Sequence, residues 1–123
     1  MDIYKIIDFS NWAEENKVSD EDLFKAITEM NNGLYDANLG GNVYKKRISL
    51  DNKGKRGGAR TIIAFKYNDK AFFIYSFLKN KLSNISDKEL KALKKLAKLY
   101  FDLTDKEITD AIQVGNLIKV DMK

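Results

Sequence analysis

The chain has 123 residues, 44% of them apolar, with no cysteine, no histidine and a formal net charge of +4. That length suits one domain spanning residues 1–123 and able to bury a core unaided. Without cysteine there are no disulfides or thiolate metal sites, and without histidine a zinc site would need carboxylates alone, so no metal or other cofactor is expected.

The opening residues, Met1-Asp2-Ile3-Tyr4-Lys5, lack a basic stretch leading into a long apolar run. No segment approaches the roughly 18 apolar residues of a spanning helix, so the chain reads as cytoplasmic. The modest net charge hides an asymmetry. Residues 1–40 hold 3 basic and 9 acidic side chains, residues 41–100 hold 16 and 4, and residues 101–123 hold 3 and 5. A cationic middle with acidic flanks concentrates polyanions at one face.

In chain order, Ile3, Ile6 and Ile7 fit either a strand or a helix, and Phe9 to Asn16, with Trp12 inside, suits a short helix. Ser19-Asp20-Glu21-Asp22 reads as a helix start, with Ser19 as N-cap and Leu23, Ile27 and Met30 recurring on one face. Gly33 is a natural C′ stop. From Asn42 to Leu50 the period changes to two, which places Val43, Lys45 and Arg47 on one face and Tyr44, Lys46, Ile48 and Leu50 on the other. Thr61 to Tyr67 and Ala71 to Leu78 are β-branched and aromatic, and Asn68-Asp69-Lys70 between them signals a hairpin.

Ser86-Asp87-Lys88-Glu89 is a capping box opening a helix with Leu90, Leu93, Ala97 and Tyr100 on one stripe and Lys88, Lys91, Lys94, Lys95 and Lys98 opposite. Thr104-Asp105-Lys106-Glu107 is a second capping box; Gly115 ends that helix before an apolar tail, Leu117 to Val120. The expected fold is α+β: N-terminal helices, an antiparallel sheet of three to four strands, and C-terminal helices.

The segment Lys53-Gly54-Lys55-Arg56-Gly57-Gly58-Ala59-Arg60 puts four cations and three glycines into eight residues. Glycines let backbone N–H groups approach an anion, lysine supplies point charge, and arginine supplies a planar fork for phosphate. The spacing is neither that of a P-loop nor that of a dinucleotide fingerprint. For a hairpin centred on Asn68-Asp69, Arg60 and Lys79 come near each other to within a residue or two of register, and Lys45 and Arg47 extend the patch from the preceding strand.

Without histidine, acid/base chemistry falls to Lys, Arg, Tyr, Asp or Glu. Clustered like charges lower a lysine pKa, which suits Lys53, Lys55 or Lys79 to proton transfer while the arginines stabilise charge on phosphorus. RNA fits such a site, because its 2′-OH attacks the adjacent phosphate once held in line. The simpler alternative pairs Arg60 with an acid from the N-terminal helices and leaves the lysines solvated.

Three stretches together resemble the RelE/HigB-type toxins of bacterial type II toxin–antitoxin systems: Asp36 to Ile48; Gly54-Lys55-Arg56-Gly57-Gly58-Ala59-Arg60-Thr61-Ile62-Ile63; and Phe72 to Asn80. The resemblance runs from about Phe9 to Val120. It implies a RelE-like fold, a metal-independent endoribonuclease (mRNA interferase) that inhibits translation by cutting mRNA in the ribosomal A site, and a cognate helix-turn-helix antitoxin of the HigA kind. It implies catalytic roles for Arg60, Lys53, Lys55, Arg56 and Lys79, and RNA binding by Lys45, Lys46, Arg47, Asn80 and Lys81. The family's functional C-terminal tyrosine or histidine has no counterpart in the final residues Leu117 to Lys123, so Lys79 or Lys81 would move the proton.

Two other functions share these features. A ParE-like inhibitor of DNA gyrase would have the fold without needing a phosphate-cleaving loop, and a non-catalytic nucleic-acid-binding module would bind with steep salt dependence and cut nothing. Trp12, Phe24, Phe65, Phe72, Phe73 and Phe77 sit in periodic apolar runs and read as core, whereas Tyr67 and Tyr75 stay open between core and function. The lysine face of the 88–98 helix suits either solvation or contact with ribosomal RNA.

Overall fold

A computed structural model describes residues 1–50, 58–78 and 85–121. The elements are β1 (Asp2–Ile6), α1 (Ile7–Glu15), α2 (Asp20–Asn31), β2 (Ala37–Gly40), β3 (Val43–Ile48), β4 (Ala59–Phe65), β5 (Lys70–Leu78), α3 (Asp87–Phe101), α4 (Asp105–Gln113) and β6 (Leu117–Lys119). They build one sheet of order β2-β3-β4-β5-β1-β6, antiparallel throughout except for the β1–β5 pair.

The helix boundaries follow their caps. Ser19, Ser86 and Thr104 each accept the N–H of the residue three positions on, and Asp22, Glu89 and Glu107 accept the backbone N–H of the cap residue in return. Beyond α2 and α4 the chain turns at Gly33 and Gly115, whose φ angles of +83° and +84° favour a residue without a Cβ.

Each face of the sheet carries its own layer of helices. On one, Phe9, Ala13, Leu23, Ile27 and Met30 of α1 and α2 pack with Ile3, Ile48, Ile63, Phe65 and Phe73. On the other, Leu93 and Ala97 of α3 and Ile108 of α4 pack with Val43, Ile62, Ala64, Phe72 and Ile74. Residues 62–65 and 71–74 are therefore buried without interruption, as expected where a strand is covered on both sides.

The α+β expectation holds, but the sheet needs correction. It has six strands and is mixed, where three to four antiparallel strands were expected, and β1 precedes the N-terminal helices. Ile3 enters one core and Tyr4 the other, so β1 has no apolar/polar alternation to announce it. Its partner β5 lies far along the chain, with Tyr4 opposite Phe72. The apolar tail becomes the edge strand β6, pairing Tyr4 with Lys119. Strand β2, only 4 residues long, gives no periodic signal; Gly40, Gly41 and Asn42 all take positive φ and turn it back onto β3.

Candidate nucleic-acid interface

Antiparallel pairing of β3 with β4 sets Arg47 directly opposite Arg60 and Lys45 opposite Ile62. On the next strand Arg60 faces Phe77 and Ile62 faces Tyr75. Two neighbouring rows thus cross one face of the sheet, Arg47–Arg60–Phe77 and Lys45–Ile62–Tyr75. The face is the one covered further along by α3.

Like charges directly opposite each other destabilise an antiparallel pair, so Arg47 and Arg60 are placed at a cost to the fold. Among the described residues neither Lys45 nor Arg47 has a carboxylate partner within ion-pair reach, and Arg60 has one: its Nε lies 3.7 Å from Asp36 Oδ2. That distance exceeds hydrogen-bond length, and the Arg60 side chain is only 13% exposed. Of the three cations only Arg60 has a carboxylate near it, and that one lies beyond hydrogen-bond length, which leaves the guanidinium fork available to an anion. Gly58 flanks the group. A Cβ there would lie 3.3 Å from the Ile48 carbonyl oxygen, a tight contact with backbone, and in ordinary contact with Arg47 Cγ and Cδ at 3.5 Å.

Lys46 points the other way. Its side chain is 9% exposed and its ammonium lies 2.7 Å from Glu29 Oε1 of α2, while its carbonyl oxygen accepts from the Thr61 hydroxyl at 2.8 Å. The structure therefore brings Lys45, Arg47 and Arg60 together and sets Lys46 on the opposite face. Arg60 faces Phe77, two residues short of Lys79, because the turn pairs Phe65 with Ala71 and so centres on Asn68; the bulge at Ile62/Ile63, which leaves Ile74 without a partner in the ladder, moves the partner of Arg60 one residue toward Lys79. Lys53, Lys55, Arg56, Lys79, Asn80 and Lys81 lie outside the described residues.

Two groups at this face carry little sequence signal. Asp36 opens the first of the family-like stretches but has no role assigned there, and it meets Arg60 only through β2–β3 pairing, its N–H bonding to the Lys45 carbonyl. Tyr75 Oη donates to Glu89 Oε2 at 3.4 Å, and the other Glu89 oxygen accepts the Ser86 N–H and hydroxyl, each at 3.1 Å. The Ser86 N–H and hydroxyl, aided by the Tyr75 phenol, hold the Glu89 carboxyl below its ordinary range. Burial, with the nearby Glu89 charge, pushes the Tyr75 phenol up. The capping box announced Glu89, and only strand parity placed Tyr75 on the basic face.

Among the described residues no group of three or more His, Cys, Asp or Glu side chains is arranged to hold a metal ion, and no helix is long and apolar enough to cross a membrane. Comparison with curated proteins finds no match. The family model for the RelE toxin of the RelE/RelB toxin–antitoxin system matches residues 1–120, nearly the whole chain with both helical layers and the basic sheet face, and the chain belongs to that family of toxins.

Proposed function

We propose that this toxin is a metal-independent endoribonuclease that inhibits translation by cutting mRNA held in the ribosomal A site. The observation that carries the reading is the Arg47–Arg60 pair beside Lys45: three cations on one sheet face, two of them directly opposed, with only Arg60 near a carboxylate, Asp36, among the described residues. A backbone phosphate fits between them, and Arg60 neutralises the charge that grows on phosphorus as a ribose 2′-OH attacks. Lys53, Lys55, Arg56 and Lys79 complete the phosphate site, and Lys45, Arg47, Asn80 and Lys81 hold the RNA strand. With no histidine to supply a strong general base, much of the rate comes from in-line positioning, which the ribosome provides by fixing the message. The partner that silences the toxin is a helix-turn-helix antitoxin of the HigA kind, acting in the cytoplasm.

The test is to map mRNA 5′ ends after induction of the wild type and of Arg60→Ala. New ends within coding regions that vanish in the variant support the reading. Intact messages alongside accumulating DNA breaks would replace it with gyrase poisoning.

A further inference from the structure

On the nuclease reading above, the cleavage site still needs an acceptor for the 2′-OH proton, and the basic sheet face holds one arrangement suited to it. Tyr75 is the diagonal neighbour of Arg60 across the β4–β5 pair, since Arg60 faces Phe77 and strand residues two apart share a face. Such diagonal neighbours lie about 7–8 Å apart, their Cβ atoms somewhat closer, within reach of long side chains. The Tyr75 hydroxyl is directed at Glu89, whose remaining oxygen is fixed by Ser86 at the start of α3. The phenol proton is thus committed to a carboxylate, and the lone pairs of Oη remain to accept a hydrogen bond from substrate. The 3.4 Å separation is long for a hydrogen bond, as catalytic contacts often are before substrate binds.

We propose that Tyr75 and Glu89 form the proton-accepting pair of the site, with Tyr75 Oη taking the ribose 2′-OH proton as its own proton passes to Glu89 Oε2. The 2′-oxygen then bonds to phosphorus and the bond from phosphorus to the 5′-oxygen breaks. The 5′-oxygen leaves as an alcohol, taking a proton from solvent water, and Glu89 returns its proton to the hydroxide so formed. The products are a 2′,3′-cyclic phosphate and a 5′-hydroxyl. Ser86 and Tyr75 hold the Glu89 carboxyl below its ordinary range, so it is ionised before the substrate reacts. Tyr75 is the catalytic residue of the pair, and Glu89 acts through it.

The test uses purified toxin and ribosomes carrying a defined message in the A site, with single-turnover cleavage read for Tyr75→Phe and Glu89→Gln. The phenylalanine keeps the ring packed against Phe77. The glutamine still caps Ser86 through its carbonyl oxygen, but its amide donates to Tyr75 and cannot accept the proton. Each variant is expected to cleave about 100-fold more slowly and to bind a 2′-O-methyl message with unchanged affinity. A second substrate with sulfur in place of the bridging 5′-oxygen, a leaving group that needs no proton, should leave both losses in place. Recovery of the rate on that substrate would make Tyr75 the acid for the leaving group and overturn the assignment. Equal cleavage by wild type and both variants, or a loss of affinity that accounts for the whole defect, would overturn the proton pair while leaving the nuclease reading intact. If the wild type leaves the message uncut, the nuclease reading falls, and the proton pair with it.

Discussion

Lys46 and Glu29 form an ion pair of 2.7 Å across the interface of β3 with α2, on the face of the sheet opposite Lys45 and Arg47. One lysine of the adjacent pair therefore ties β3 to α2 while its neighbour has no carboxylate partner among the described residues. The pair is asymmetric: the Lys46 side chain is 9% exposed and that of Glu29 is 37% exposed.

Removing the carboxylate leaves a buried ammonium unpaired, whereas removing the lysine leaves a carboxylate that water reaches. Glu29→Gln is thus expected to destabilise by about 2 kcal/mol, below the full cost of breaking a buried pair because Glu29 is partly solvated. Lys46→Met should cost less, and Lys45→Met almost nothing. Urea unfolding of the three variants checks the order.

The Arg47–Arg60 pairing predicts a gain and a loss from one change. Arg47→Gln removes a like-charge cross-strand contact and should stabilise the fold by about 0.2–0.5 kcal/mol. The same variant should bind single-stranded RNA more weakly, with the slope of log affinity against log salt falling by about 0.7. A denaturation curve and a salt titration of binding on the same sample measure both. A loss of stability would contradict the repulsion.

Arg60 offers phosphate a planar fork that lysine does not match. Arg60→Lys keeps the charge and should still lower message cleavage about 100-fold, the usual scale for losing one preorganised donor to a developing oxyanion. Single-turnover kinetics on programmed ribosomes decides this. Full activity would mean that charge alone suffices.

Asp20 links three elements: its Oδ1 accepts from Lys5 of β1 at 2.7 Å, and its Oδ2 accepts the Asp121 N–H at 2.9 Å just past β6. Burial raises its pKa, but the hydrogen bond and charge of Lys5 and the Asp121 N–H outweigh this and hold the carboxyl below its ordinary range. A folded pKa below the unfolded value of about 3.9 means that the contribution is present above that pH and lost as pH falls through the folded value. Asp20→Asn should therefore lower stability at pH 7 by about 1–3 kcal/mol, the scale of a hydrogen-bonded charge. The difference from wild type should shrink below about pH 4. Thermal melts at pH 7 and pH 3 test the sign.

The alternation of Asn42 to Leu50 is enough to separate Lys45 and Arg47 from Lys46, because successive strand residues point to opposite faces whatever they pack against. The capping boxes at Ser86 and Thr104 likewise mark α3 and α4, since a cap bonds within four residues of itself. Neither inference depends on distant parts of the chain.

What stays hidden in the sequence comes from long-range pairing. No local pattern tells Ile3 and Tyr4 that they enter different cores beside β5, or pairs Asp36 with Arg60 across two strands. The turn pairs Phe65 with Ala71, which alone would set Arg60 against Ser76; the bulge at Ile62/Ile63 advances that partner to Phe77 and puts Tyr75 on the basic face. A single extra residue in one strand changes the register of everything beyond it, so a count from the turn drifts.

Local spacing and composition thus account for the three capped helix starts, the β4–β5 hairpin, the cationic middle of the chain and the absence of histidine chemistry. Which cations gather, which one is committed to the core through Glu29, and which phenol and carboxylate share the face of Arg60 emerge only in the packed fold. Those relationships depend on register and on contacts between strands and helices far apart in the chain, and such contacts exist only once both faces of the sheet are covered.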